Sequence, residues 1–369
     1  MNPYWYPLSV PTIGDAEIDA VNRVLRSGYT TMGAETAAFE YEFAHAVGAQ
    51  HAVMVNSGSS ADLLIAMGLR ESGGEVLVPA VTWPTQVWAW VMAGFKVTLV
   101  DVDPATLNAG IDDYAAAVTP DTTVLSLTHL MGNTADLNPI LDLAANLGLI
   151  VTEDCCEALG AKYHGAPVGS FGHAAAWSFF FSHQMTTMEG GMVTTDDLDF
   201  ADKLRGLRSH GWTRHVSSDL YTFAGLGFNL RPTEVQAAIG RVQLKKLRRF
   251  NEMRHRAFLL FESLVDTACL TAPQVVPGAC PSWFGLPLLV DDRDGLAAHL
   301  EAHGVETRPI LGGNLARQPV ARAGHFTAGD LPGADYIHDR GLFIGLHPSS
   351  TYDVERLAGL VNAYAKVAA

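Results

Sequence analysis

Apolar residues recur at helical spacing through Asp15 to Arg26 and Ala34 to Val47, which predicts two amphipathic helices. The pattern then shifts to the apolar run His51 to Val55, the signature of a short strand. Strand and helix alternate from there: Glu75 to Pro79, Thr85 to Ala93, Lys96 to Val100, Thr123 to Thr128, Asn138 to Leu147 and Leu149 to Glu153. This rhythm predicts an α/β layer with a mostly parallel sheet covered by helices on both faces. The character changes at Arg231-Pro232-Thr233-Glu234, which opens a helix running through the charged stretch Leu244 to Arg249. A strand-like run from Trp283 to Val290, a helix from Gly295 to His303 and a strand from Val305 to Pro309 follow, predicting a smaller α+β domain. The expected division is a large domain over residues 1–247 and a small C-terminal domain over 248–369.

Composition narrows the class. The chain has 369 residues, 48% hydrophobic and 17% charged, enough to bury about two cores and unlike a disordered sequence. Its formal net charge is −15 with no basic run, so a nucleic-acid partner is not expected. No apolar stretch reaches membrane-spanning length and the first residues lack a signal-peptide pattern, so the expectation is a soluble cytoplasmic protein with no membrane partner. Four cysteines (Cys155, Cys156, Cys269 and Cys280) lack metal-ligand spacing, so buried thiols are expected and no metal site.

Several segments carry candidate chemistry. Asn56-Ser57-Gly58-Ser59-Ser60 follows a strand and opens a helix, so Gly58 and Ser59 can present N–H groups to a phosphate; a capped helix turn would look the same. Glu153-Asp154-Cys155-Cys156-Glu157 ends an apolar strand, where open α/β sheets bring side chains to a ligand crevice, or where an aspartate caps a helix. Ser178 to Gly191 holds the run Ser182-His183-Gln184-Met185-Thr186-Thr187-Met188-Glu189-Gly190-Gly191. His183 is suited by its near-neutral pKa to move protons.

That last stretch resembles the lysine segment of the sugar aminotransferases that use pyridoxal 5'-phosphate (PLP), with histidine in place of the lysine. The resemblance covers almost the whole chain. It includes Gly227-Phe228-Asn229-Leu230-Arg231-Pro232-Thr233-Glu234, Arg208-Ser209-His210-Gly211-Trp212-Thr213-Arg214, Ser282-Trp283-Phe284-Gly285 and Arg308-Pro309-Ile310. Such a likeness implies the type I aminotransferase fold, and the missing lysine points to the branch that dehydrates sugars at C3.

The resemblance also implies roles. Gly58, Ser59 and Ser178 would hold the cofactor phosphate, Trp83 would stack on the ring, Asp154 would pair with the ring nitrogen, and Glu157 would lie near the ring hydroxyl. Asn229 would reach the neighbouring subunit's cofactor phosphate, implying a homodimer with shared active sites. His210 and Arg214 would help position His183 or substrate oxygens, and Thr31 and Arg308 would line the substrate side. For Trp83 a core position, for Asn229 a turn and for His210 and Arg214 a solvated basic cluster remain open. His51, His129, His164 and His173 are read as structural.

A lysine amine can hold PLP covalently and an imidazole cannot, so PLP and its aminated form, pyridoxamine 5'-phosphate (PMP), are expected to bind without a tether. The implied reaction removes the C3 hydroxyl of a 4-keto-6-deoxy nucleotide sugar, with His183 transferring protons and L-glutamate re-aminating the cofactor. GDP-4-keto-6-deoxy-D-mannose is one candidate substrate. The segment between Arg214 and Gly227 is short for that branch, so another nucleotide sugar or a secondary-metabolite sugar stays open. Loss of the lysine would also fit a silent cofactor-binding or regulatory protein.

Overall fold

Every residue of the strand Glu75–Pro79 is buried, which explains the apolar run Val76–Pro79, while the leading Glu75 pairs with Lys96 at 3.0 Å. In the computed structural model, which describes residues 3–212, 221–266, 272–349 and 352–368, this strand belongs to an eight-stranded sheet. The order is His51–Val55, Gly191–Thr195, Ala174–Ser178, Ile150–Asp154, Thr122–Thr128, Glu75–Pro79, Lys96–Val100 and Thr327–Ala328. Neighbours are parallel from Ala174–Ser178 to the far edge. Gly191–Thr195 runs antiparallel to both of its neighbours. The architecture is thus the mostly parallel, helix-flanked layer that the alternation predicts.

The long helix Glu234–Leu264 begins one step later than Pro232 suggests. Thr233 caps it: its Oγ1 accepts from the Gln236 N–H at 3.3 Å while Gln236 Oε1 accepts from the Thr233 N–H at 2.8 Å. The expected division at residue 248 falls inside this helix. Ala237 lies in the large core, whereas Phe258 and Phe261 join a second core with Trp283, Leu300 and Ile344.

That second core lies under an antiparallel sheet of Gly285–Leu289, Gly341–Gly345 and Thr307–Pro309, flanked by Arg293–Ala302 and Val354–Ala368. The strand expected from Trp283 is shorter because the N–H groups of Ser282 and Phe284 turn to the carbonyls of Gly132 and Met131, at 3.0 and 2.9 Å. Those two bonds fasten the smaller layer to the larger one.

The N-terminal segment joins the same two layers. Tyr6 is buried in the second core and bonds Gly304 and Glu306 through its backbone. Thr12 meets Gln243 of the long helix, and the helix Asp15–Ser27 packs beside it. No helix among the described residues is long and apolar enough to cross a membrane.

Candidate active site

A cavity of about 1170 Å³ opens at the carboxyl ends of the large-sheet strands. It is walled by Ser57–Ser59, Asp154, Glu157 and Ser178 of the larger layer and by Phe284, Glu306, Arg308 and Phe343 of the smaller one, with residues 8–13 also in its lining. Open α/β sheets place ligand crevices at this end of their strands.

One end of the cavity is built to receive an anion. The helix Gly58–Gly68 starts here, with Ser57 Oγ accepting from the Ser60 N–H at 3.1 Å. Its first N–H groups and the positive end of its dipole face the cavity. A Cβ on Gly58 would lie 2.6 Å from Ser178 Cβ, and one on Gly191 would lie 2.3 Å from the Ser57 carbonyl oxygen. The second glycine of the Glu-Gly-Gly run therefore lets a strand pass against the anion loop.

On the same wall, Asp154 closes the strand Ile150–Asp154 and is buried. Burial raises its carboxyl pKa, opposed by hydrogen bonds from Cys156, whose N–H donates to Oδ1 at 2.9 Å, and by His129. Asp62 lies on the same wall, one helical turn beyond Gly58. Burial and then the Asp154 charge push it well above the ordinary carboxyl range. Asp62 carries the pair's proton more readily, because donors stabilise the Asp154 anion and no such donor acts on Asp62 among the described residues. Glu157 Oε2 accepts from the Met131 N–H at 2.8 Å, yet burial raises this carboxyl to about 8.

His129, read from sequence as structural, also lines the cavity. Its Nδ1 accepts from the Ala135 N–H at 3.2 Å, which leaves the proton on Nε2 to be donated to Glu153 Oε2 at 3.1 Å. Glu153 further accepts from the N–H groups of Gly169, Phe171 and Gly172. With Cys155 these two make a buried group of metal-ligand type, but their lone pairs are engaged by one another and by the backbone.

His183 sits on the loop between Ala174–Ser178 and Gly191–Thr195 and lines the cavity. Its N–H donates to the Phe180 carbonyl at 3.0 Å, and its ring meets Phe284 edge to face at a centroid distance of 5.1 Å. Nδ1 has no protein partner. Burial and the nearby Arg254 lower the imidazole pKa to about 3, so the ring is a neutral acceptor. The next residue pins the loop: Gln184 Nε2 donates to the carbonyls of Glu157 and Ser282.

The structure brings Gly58, Ser59, Trp83, Asp154, Glu157, Ser178, His183 and Arg308 together around this one cavity. Trp83 precedes the helix Pro84–Ala93 and remains 55% exposed, so it is a wall and not a core residue. Arg308 pairs with Glu306 at 3.0 Å. Three expected site residues do not line it. Thr31 bridges Thr233, and Asn229 bridges Ser209 next to His210; all three candidates are exposed. The Asn229 segment does run beside the anion loop, where the Asn56 N–H donates to the Leu230 carbonyl at 3.1 Å. Arg214 lies outside the described residues.

Sequence reasoning missed Asp62, His129 and Gln184. Asp62 had a signal, being a carboxylate one turn into a helix that starts at a phosphate-type loop and is apolar from Leu63 on. His129 and Gln184 had none, since their roles depend on neighbours distant in the chain.

An anion cradle and a donor-supported carboxylate lining one cavity, with an exposed tryptophan in its wall, fit a flat pyridine ring carrying a phosphate and a protonated nitrogen. Gly58 is central to that fit, since a Cβ there would enter the cradle. PLP and PMP have this chemistry.

Comparison with known proteins agrees. Residues 11–361 match the DegT/DnrJ/EryC1/StrS aminotransferase family. The chain is 35% identical, over 93% of its length and 94% of the relative's, to the GDP-4-keto-6-deoxy-D-mannose 3-dehydratase of Yersinia pseudotuberculosis. A solved E. coli GDP-4-keto-6-deoxy-D-mannose-3-dehydratase with bound hydrated PLP has a TM-score of 0.92 at 32% identity, covering 98% of this chain and 99% of that one. A solved GDP-4-keto-6-deoxymannose-3-dehydratase with a trapped PLP-glutamate geminal diamine has a TM-score of 0.90 at 33% identity, covering 96% and 100%.

Proposed function

The chain belongs to the DegT/DnrJ/EryC1/StrS aminotransferase family, and from that premise we propose that it is a PLP- and PMP-dependent 3-dehydratase of a 4-keto-6-deoxy nucleotide sugar. The observation that carries the reading is His183: an imidazole stands at the family's lysine position, on the cavity wall, with Nδ1 free of protein partners. Bound non-covalently, the cofactor supplies an amine for the C4 ketone and a ring that accepts electrons.

The chain's residues do the rest. Gly58, Ser59 and Ser178 hold the phosphate end, and Trp83 fixes the ring plane. Asp154 would pair with the ring nitrogen and keep it protonated, and Glu157 would lie near the ring hydroxyl. His183 would carry the protons of the reaction, an imidazole nitrogen accepting one at the cofactor side and giving one up toward the sugar's C3 oxygen. Arg308 lines the side from which sugar enters. One L-glutamate is consumed and one 2-oxoglutarate, one ammonia and one 3-deoxy-4-keto sugar are formed, so atoms balance without a metal or an external reductant.

The substrate we assign is GDP-4-keto-6-deoxy-D-mannose, on the strength of the similar dehydratases. The working unit is a homodimer in which Asn229, His210 and Thr31 act at the neighbouring site; their exposure away from the chain's own cavity supports this, as do exposed Tyr29, Tyr221 and Leu226 nearby in sequence. Arg214 is assigned to the substrate side by its motif. Unpaired Cys155, Cys156 and Cys280 suit the reducing cytoplasm.

The deciding experiment follows the absorbance of PLP-loaded protein on addition of glutamate, then measures ammonia after addition of the keto sugar. Conversion of the aldehyde band to the PMP band, followed by ammonia and 3-deoxy sugar in equal amounts, is expected. Binding of PLP with no spectral response to glutamate would overturn the assignment.

A further inference from the structure

His183 is held from behind by a cation. Arg254, on the long helix Glu234–Leu264, donates through Nη2 to the His183 carbonyl at 3.1 Å and through Nε to the Leu346 carbonyl at 3.0 Å. The arginine is 5% exposed, and its Nη1 has no protein partner. No carboxylate within salt-bridge distance pairs with it among the described residues, and burial alone accounts for the lowering of its pKa to about 10. A buried charge without a counter-ion is costly, and a fold that keeps one departs from the rule that buried charges are paired. Such departures concentrate at functional sites.

Resting on the reading of His183 as the proton carrier, we propose that Arg254 is a positioning residue for it: the guanidinium anchors the loop through the His183 carbonyl, and its unneutralised charge keeps the imidazole a proton acceptor. The same guanidinium bonds the Leu346 carbonyl, and the next residue, His347, meets the Pro7 carbonyl through Nε2 at 2.5 Å. His347 is lowered to about 4, by burial first and by Arg254 as well, against the Pro7 bond. Two neutral imidazoles therefore flank one buried cation.

Other ionisable groups share the cavity with His183. Asp62, His129, Asp154 and Glu157 stand on the large-sheet wall, Glu189 on the His183 loop, and the Glu306 and Arg308 pair on the smaller layer. None of these makes a hydrogen bond to the His183 ring or accounts for the direction of its shift, which comes from burial and then from Arg254.

The test is an NMR titration of cofactor-free protein carrying isotope-labelled histidine, with His183→Gln used to assign the signal. In the unaltered protein the His183 ring should stay neutral down to about pH 5. Arg254→Gln should raise its midpoint by about one pH unit or more, and Arg254→Lys, which keeps the charge, should not. In the loaded enzyme, Arg254→Gln should also move the acid limb of the rate profile upward. A His183 midpoint near 6.5 in the unaltered protein, or an unchanged midpoint in a natively folded Arg254→Gln protein, would overturn the proposal. The first of these readings stands whether or not the variant folds. Since no cofactor or sugar is present, a low midpoint without glutamate turnover would remove the dehydratase reading and leave the hold of Arg254 on His183 in place.

Discussion

Gly58 and Ser178 approach so closely that a Cβ on the glycine would lie 2.6 Å from the serine Cβ and 3.0 Å from its Oγ. The cradle for a phosphate is therefore a contact between a helix start and a strand end, and a single methyl group would fill it. Gly58→Ala should retain the fold but raise the Kd for PLP at least about tenfold. Equilibrium titration of the PLP absorbance band reads this directly; unaltered affinity would move the phosphate elsewhere.

His183 separates the two outcomes open to the aminated sugar. His183→Lys should hold PLP covalently, detectable as added protein mass after borohydride reduction, and should move products from 3-deoxy sugar toward amino sugar. His183→Gln should lose about 100-fold or more in ammonia release while binding PLP normally. Full 3-deoxy product from the lysine variant would remove His183 from the chemistry.

The buried Glu157 gives a pH signature of defined sign. Its folded-state pKa, about 8, lies above the ordinary value of 4.5, so between these values the folded protein binds more protons than the unfolded chain. Its contribution to stability therefore falls as pH rises through that window. Comparison with Glu157→Gln at each pH cancels the opposite contribution of His183. The melting temperature of the unaltered cofactor-free protein, relative to the variant, should drop by a few degrees between pH 5 and pH 8.

Shared sites predict complementation between defective subunits. His183→Gln and Asn229→Ala homodimers should each be impaired, yet a mixed dimer contains one site with both native residues. Random subunit exchange should then restore activity to about a quarter of the unaltered enzyme, half of the sites in half of the dimers. Activity no higher than the average of the two parents would place Asn229 at its own subunit's site.

The large layer was readable because its strands are short, apolar and buried, and because residues such as Asp154, Ser178 and Gly58 sit at strand and helix ends where local pattern dictates position. The ends of the smaller strands were not, since Ser282 and Phe284 give their N–H groups to a distant loop. The same difference governs the site. His183 stands out as a substitution within a motif, whereas His129 and Arg254 acquire meaning from partners far along the chain, Glu153 for one and the His183 carbonyl for the other. Asn229, His210 and Thr31 are exposed and off the cavity, so the roles expected of them rest on the proposed second subunit, which no periodicity within one chain encodes.

Residues 8–13 and Phe343 both line the cavity, the first held through the Leu8 N–H to Glu306 at 3.0 Å. A growing polypeptide thus makes residues 8–13 more than about 300 residues before Phe343, its partner in the cavity lining. The large sheet can begin to assemble earlier, as its central strands emerge. A complete cavity must wait until Phe343 has joined residues 8–13, so the nascent chain has a sheet to build on well before it has a finished place for chemistry.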